Sequence, residues 1–306
     1  MNTQKNCPEC GVELPPDAPV GLCPRCLLQS ATAPQSSTGE GSGGIASARP
    51  VIGADYGGYQ IIRLLGRGGM GEVYEADHLA SGRRVALKVM NHSLTSETDR
   101  MRFLREGRLA ASVSHPNVIY VYGSEEIDGV PVIAMELVHE GTLKDVVRKR
   151  GPLPVGEAVE QMLQVIAGLE AANVTGVLHR DIKPGNCFVG ADGTVKVGDF
   201  GLSISTLARP ESMVTTAGSV LGTPGLASPE QLRGEELDVR SDIYSVGATL
   251  YHLLTGRLPF NAEDLVQLIA NVLDQPPKSP ADHRPDLPAG LVRVILRCLA
   301  KDRGQR

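Results

Sequence analysis

From Tyr59 onward, short apolar runs alternate with glycine-bearing breaks. Tyr59-Gln60-Ile61-Ile62-Arg63-Leu64-Leu65 has the aromatic and branched content of a strand. Glu72-Val73-Tyr74-Glu75-Ala76 predicts a second strand, Ser81-Gly82 a turn, and Val85-Ala86-Leu87-Lys88-Val89-Met90 a third strand. Side chains on a strand alternate between faces, so Ala86 and Lys88 share one face and Val85, Leu87 and Val89 the other. An amphipathic helix is expected over residues 97–112, opened by the capping-box pattern Ser96-x-x-Asp99. Gly107 inside it reads as a local weakness of about 0.5–1 kcal/mol relative to alanine. Residues 118–122 and 130–137 predict two more strands. The pattern then becomes mostly helical: Ala158, Met162, Val165, Ile166 and Leu169 mark one core-facing stripe. Val195-Lys196-Val197 is strand-like.

The first 58 residues differ from the rest. Cys7-Pro8-Glu9-Cys10 and Cys23-Pro24-Arg25-Cys26 are two C-x-x-C knuckles twelve residues apart. Each tight turn can aim two thiolates at one point, and together they predict a four-sulfur cage for a structural Zn²⁺. A segment of 28 residues is too short for a core, so metal would supply most of its folding energy. Disulfides would need export, and a redox pair is the other alternative. Residues 29–58 carry few large apolar side chains, and Ser30 to Gly44 almost none, so a flexible tether is expected there. Cys187 and Cys298 read as small buried hydrophobes.

Composition narrows the function. Of 306 residues, 42% are apolar, enough for a sizeable core, and Lys+Arg 30 against Asp+Glu 35 gives a net charge of −5. That balance, with aromatics at 4%, argues against a nucleic-acid partner. The segment 1–26 has Lys5 and Arg25 against Glu9, Glu13 and Asp17, so a protein-contact or self-associating role is preferred to reading nucleic acid. With no run of about 18 apolar residues and no apolar leader, a cytoplasmic chain without a membrane segment is expected.

Three patterns carry chemistry. Gly66-Arg67-Gly68-Gly69-Met70-Gly71 sits between strand-like runs, not before a helix, so it tips a hairpin whose backbone N–H groups can approach phosphate. Lys88, one pleat beyond the small Ala86, can reach phosphates of a base lying there, and Glu106 can hold Lys88 through an ion pair. His179-Arg180-Asp181-Ile182-Lys183-Pro184-Gly185-Asn186 is the densest polar cluster, and Asp199-Phe200-Gly201 follows thirteen residues after Asn186. A base, a cation and oxygen ligands for Mg²⁺ are what phosphoryl transfer needs.

In this order these motifs, with Gly222-Thr223-Pro224, Ser228-Pro229-Glu230 and Asp242, resemble the eukaryotic-like serine/threonine protein kinases of bacteria over residues 59–306. The resemblance implies an α+β, bilobal protein-kinase-like fold with a β-rich N-lobe and a mainly helical C-lobe, after a zinc-ribbon-like module at 1–28 and a linker at 29–58. It implies ATP and Mg²⁺ or Mn²⁺ as cofactors and protein substrates with Ser/Thr acceptors. Leu65, Gly66, Arg67, Gly68, Gly69, Met70, Gly71, Glu72 and Val73 would cover the nucleotide, and Ala86 would line it. Lys88 would bind its phosphates, held by Glu106. Met135 takes the gatekeeper place, and the backbone of Glu136 and Val138 would meet the adenine edge. Asp181 would accept the hydroxyl proton and Lys183 neutralise the γ-phosphate. Asn186 and Asp199 would hold Mg²⁺. Arg306 would pair with Glu230.

The segment between Asp199 and Glu230 is rich in hydroxyls from Ser203 to Ser219 and matches an activation loop, with Thr215 and Thr216 as expected autophosphorylation sites and Arg180 as a phosphate partner. Departures from the family pattern are Ser228 for Ala, Gly225-Leu226 for an aromatic-containing run, Arg303 for Pro and Cys187 after Asn186. The family fold continues through one more helix, so a fragment or truncated product is expected. The alternative to an active kinase is a nucleotide-binding pseudokinase scaffold; a small-molecule phosphotransferase is disfavoured by the segment from Gly222 to Glu230.

Overall fold

The computed structural model describes residues 49–68, 71–91, 97–200 and 224–306, and at positions 98, 99, 102 and 106 the backbone alone. The four N-terminal cysteines, Gly69, Met70, Ser96, Gly201, the hydroxyls from Ser203 to Ser219 and the pair Gly222-Thr223 lie outside the described residues, as does the side chain of Glu106.

Among the described residues, six strands form one antiparallel sheet in the order β1-β2-β3-β4-β6-β5. They are β1 (Asp55–Tyr56), β2 (Tyr59–Gly68), β3 (Gly71–His78), β4 (Arg83–Met90), β5 (Val121–Ile127) and β6 (Val130–Glu136). β1 falls inside the 29–58 stretch that composition reads as linker. It reverses into β2 through Gly57 and Gly58, both at positive φ, while Asp55 accepts the Gly58 N–H at 2.8 Å. Two residues are too few to show periodicity, yet Tyr56 is buried and anchors them. The sheet curls until its edges meet: the Tyr59 hydroxyl donates to Glu125 of β5 at 2.8 Å. β4 is covered on both faces, with every residue from Val85 to Met90 buried, Lys88 included.

Helix α1 (Glu97–Ala111) lays Phe103, Leu104, Gly107 and Ala110 against β5 and β6. A Cβ at Gly107 would stand 2.9 Å from the Ser124 Cβ and 3.1 Å from Ile133 Cδ1. Gly107 is therefore a point of close approach between helix and sheet, which corrects its reading as a mere weakness. The strand expected at 118–122 also differs: β5 starts at Val121 and runs to Ile127, while Val118 and Ile119 leave the sheet to pair with Val197, Ile119 N–H reaching the Val197 carbonyl at 2.8 Å. An apolar run buried by a distant segment looks the same in sequence as one buried within its own sheet.

The second lobe is built of α2 (Leu143–Arg150), α3 (Val155–Val174), α4 (Pro229–Arg233), α5 (Val239–Thr255), α6 (Leu265–Asp274) and α7 (Ala289–Cys298), with a small hairpin of β7 (Cys187–Val189) and β8 (Val195–Val197). The stripe on α3 is as expected: Ala158, Met162 and Val165 are buried, and Ile166 and Leu169 pack partly buried beside them. α5 is buried along nearly its whole length, with α3 and α7 packed on it. Ser228 turns out to be an N-cap: its hydroxyl and Gln231 form a reciprocal capping box that starts α4.

Glu230 and Arg306 close this lobe. Both side chains are buried, and the guanidinium grips the carboxylate through Nη1 at 2.5 Å and Nη2 at 2.8 Å. Ser241 donates to the same carboxylate at 2.7 Å, and Arg306 also donates to the carbonyls of Arg240 and Ala300. Burial pushes the Glu230 carboxyl up, but Arg306 and Ser241 outweigh it and hold it below its ordinary value. Glu230→Gln leaves a buried guanidinium without its counter-charge and is expected to lower stability by about 3–5 kcal/mol in urea denaturation at neutral pH. Because the folded carboxyl lies below its ordinary 4.5, the stabilisation is present above about that pH and is lost as pH falls through the folded value. The variant should lack that acid-side dependence; matching urea midpoints for both proteins would refute the pair as a support.

Candidate functional site

Two long-range pairings assemble the cleft. β4 lies beside β3 and β6, with Lys88 opposite Val73 on one side and Ile133 on the other. Its ammonium reaches out of the sheet to Asp199 Oδ1 at 2.7 Å. Asp199 arrives through the β7–β8 hairpin: Cys187 faces Val197, and the next bond runs from Gly198 N–H to the Asn186 carbonyl at 3.0 Å. This register sets Asn186 beside the residue that precedes Asp199. Burial pushes the Asp199 carboxyl up, yet the Lys88 ammonium, with Lys183 nearby, outweighs it and holds the carboxyl below the usual carboxylate range.

Asp181 is fixed from two sides. Lys183 Nζ donates to its Oδ2 at 2.7 Å, and Asn186 Nδ2 donates to the same oxygen at 3.0 Å and to its carbonyl at 2.8 Å. The turn beneath is tied down by a wholly buried His179. Its Nδ1 accepts from Asp181 N–H at 3.2 Å, its Nε2 meets the Gly198 carbonyl at 2.8 Å, and its ring lies 4.6 Å from that of Phe200. This pattern calls for the proton on Nε2. Both Arg180 and Asp199 adopt positive φ, at 70° and 61°, a region non-glycine residues rarely occupy. Asp242, near the start of α5, supports the first of them: its carboxylate accepts Arg180 N–H at 2.7 Å and His179 N–H at 2.9 Å.

Three contacts here have no signature in sequence. Gln231 donates to the Arg180 carbonyl at 2.5 Å, tying α4 to the catalytic-loop candidate. Lys196 of β8 pairs with Glu136 at the end of β6 at 2.7 Å, and Glu136 also accepts Tyr120 N–H at 3.2 Å. The turn Pro184–Asn186 seats Asn186, and the Cys187 thiol beside it is wholly buried, donates to the Lys183 carbonyl and is pushed up to about 12 by burial. Met135 faces Ala86 across the β4–β6 ladder and lines an apolar cavity with Ile133, Ala110, Gly198 and Phe200. Gly66, Gly68, Gly71 and Val73 lie on the β2–β3 hairpin, and Glu136 and Val138 are half-buried where the two lobes join.

A curled five-plus-one-stranded sheet over a helical lobe, with a lysine and a carboxylate meeting between them, has a counterpart among known families. The protein kinase domain model matches residues 59–306. The chain belongs to that family. It is 37% identical over 247 residues to serine/threonine-protein kinase PrkC of Bacillus subtilis, covering 80% of this chain and 38% of that one. It is 40% identical over 258 residues to serine/threonine-protein kinase Pkn1 of Myxococcus xanthus, covering 82% and 36%. The crystal structure of the Mycobacterium tuberculosis PknI kinase domain superposes with a TM-score of 0.67 at 31% identity, covering 84% of this chain and 94% of that one. The chain spans less than half the length of the curated relatives it matches.

Within this kinase domain, Asp242 is the support whose removal is read most directly. Asp242→Asn turns an amide donor toward one of the two backbone N–H groups and should cost about 1–3 kcal/mol. Amide hydrogen exchange at His179 and Arg180 should accelerate in the variant. Unaltered protection at both would show that the turn is held by something else.

Proposed function

We propose that this chain is a serine/threonine protein kinase that moves the γ-phosphoryl group of ATP to Ser or Thr hydroxyls of proteins. The observation that carries the reading is the meeting of Lys88 and Asp199 at 2.7 Å beside a loop in which Lys183 and Asn186 both hold Asp181. Relatives that carry the name serine/threonine-protein kinase at 37–40% identity support the substrate class.

The donor set suits a hard divalent cation. Asn186 spends its amide nitrogen on Asp181, which turns its carbonyl oxygen the other way, and among the described residues only Oδ1 of Asp199 has a partner. These two would hold Mg²⁺ or Mn²⁺, which supplies charge neutralisation on the phosphates. Lys88 would bind the non-transferred phosphates and Lys183 the γ-phosphate. The backbone of Glu136 and Val138 would orient the adenine, and Gly66 to Val73 would cover the triphosphate. Asp181 orients the acceptor hydroxyl and takes its proton as oxygen bonds to phosphorus and the bond to ADP breaks, so atoms and charge balance. Glu106 is assigned to Lys88, and Thr215 and Thr216 to autophosphorylation. The pseudokinase alternative gains nothing from this arrangement, which retains each of the catalytic types.

Asp181→Asn should lower transfer of labelled phosphate to a generic basic protein by about a hundredfold or more at saturating Mg²⁺ and ATP. Equal rates in the two proteins would remove Asp181 from the mechanism.

We assign Cys7, Cys10, Cys23 and Cys26 to one structural zinc on the strength of their spacing. Purified, reduced protein should release about one Zn²⁺ per chain to a chelator, read with a metallochromic dye, and Cys→Ser at Cys7 and Cys10 should abolish the release. A metal content near zero before chelation refutes the site.

A further inference from the structure

The two arms of the glycine hairpin are held differently. A Cβ at Gly66 would meet nothing within 4 Å, and one at Gly68 only the Gly71 carbonyl at 3.9 Å, so the β2 arm stands clear at this end, whereas the β3 arm is seated on β4, with Gly71 paired to Met90 and pressed against Val89. Cross-strand pairing nevertheless runs through Arg67 with Glu72 to Gly68 with Gly71. Directly opposite residues share a face and neighbours alternate. Val73 faces Lys88, so Val73 marks the side turned to the nucleotide, and Glu72 and Tyr74 stand on the other side. There Arg67 Nε meets Glu72 Oε1 at 2.9 Å, and the Tyr74 hydroxyl donates to Glu72 Oε2. Tyr74 is 5% exposed and part of the core, whereas the Arg67 side chain is 72% exposed. Burial and this carboxylate push the Tyr74 hydroxyl up to about 12, so it stays a donor at any working pH.

The geometry points to Glu72 as a positioning residue: it links Arg67 on the β2 arm of the hairpin to Tyr74 in the core, and so sets where the loop's backbone N–H groups stand over the phosphates of a bound nucleotide. Glu72 and Arg67 act through the backbone and not by touching the ligand, a role neither their motif nor the family match assigns. The inference rests on the kinase reading above. An exposed ion pair alone adds little, but here one oxygen of the carboxylate is anchored to a buried phenol, so movement of Arg67 is referred to the core. A loop freed from that reference would spend ordering entropy each time a nucleotide binds.

The experiment uses the full 306-residue chain and reads the Kd of a fluorescent ADP analogue, together with KM for ATP and kcat on a protein acceptor. Glu72→Gln and Arg67→Gln should each weaken nucleotide binding by about threefold to tenfold, and Tyr74→Phe by about threefold. The loss should fall on KM for ATP and not on kcat, with thermal midpoints unaltered. Arg67→Lys, which keeps a cation against the Glu72 carboxylate and leaves the Tyr74 hydroxyl its acceptor, should stay within about twofold of the original affinity. Single variants that bind as the unaltered protein does, or an Arg67→Lys variant no better than Arg67→Gln, overturn the assignment alone. An unaltered chain that binds no nucleotide overturns the kinase reading and this assignment with it.

Discussion

An ammonium and a carboxylate that begin 111 residues apart end 2.7 Å apart between the two lobes. Lys88 is nearly withdrawn from water, and a buried ammonium without a partner is strongly unfavourable. The pair therefore demands that β4 and β8 both be in place, and each needs its own lobe complete. β4 is buried from Val85 to Met90 between β3 and β6, and α1 packs on β5 and β6 beside it. β8 is pinned by β7 on one side and by Val118 and Ile119 on the other, through the segment that joins α1 to β5. The ion pair is a consequence of two cores agreeing on one distance.

The remaining polar groups are held chiefly through backbone. Asp242 supports the N–H groups of His179 and Arg180, Gln231 takes the Arg180 carbonyl, and His179 bridges Asp181 N–H and the Gly198 carbonyl. Arg180 and Asp199 sit at positive φ, which costs on the order of 1–3 kcal/mol at each. Such conformations persist only where surroundings over-determine them, and the supports found here come from α4, α5 and the β7–β8 hairpin together. The strain places the Asp181 and Asp199 carboxylates on the cleft side of their turns.

Sequence made the cleft legible where its chemistry is carried by side-chain type at fixed spacing. Lys88, Asp181, Lys183, Asn186 and Asp199 could be picked out because phosphoryl transfer needs a base, cations and oxygen ligands and because the order of their motifs resembles a known family, and the structure brings them together. The supports were not legible. Lys196 with Glu136 and Gln231 with Arg180 are contacts between residues fifty or more positions apart, which leave no local period. Gly107 shows the same limit from the other side: propensity sees a flexible residue in a helix, whereas the helix approaches the sheet at that point and has no room for a methyl group. β1 escaped because two residues carry no alternation, and the run at 118–122 was misplaced because its burial comes from Val197.

Among the described residues, two ion pairs cross between the lobes, and they differ in what could replace them. Lys196 and Glu136 join β8 to the end of β6, and Glu136 is also bound to Tyr120 N–H, so both oxygens of that carboxylate are spent on protein. Lys88 and Asp199 face the cleft, and Asp199 offers a second oxygen there. In the proposed reaction the first pair has no competitor, whereas each member of the second has one: phosphate oxygens for the ammonium and a divalent cation for the carboxylate. A charge pair at the cleft gives way when a better-matched charge arrives for both partners at once. A nucleotide that comes with its metal ion brings a partner for both members at once, whereas either alone brings one. The fold thus keeps one tie fixed at the hinge and places the exchangeable one where the reacting phosphates would lie.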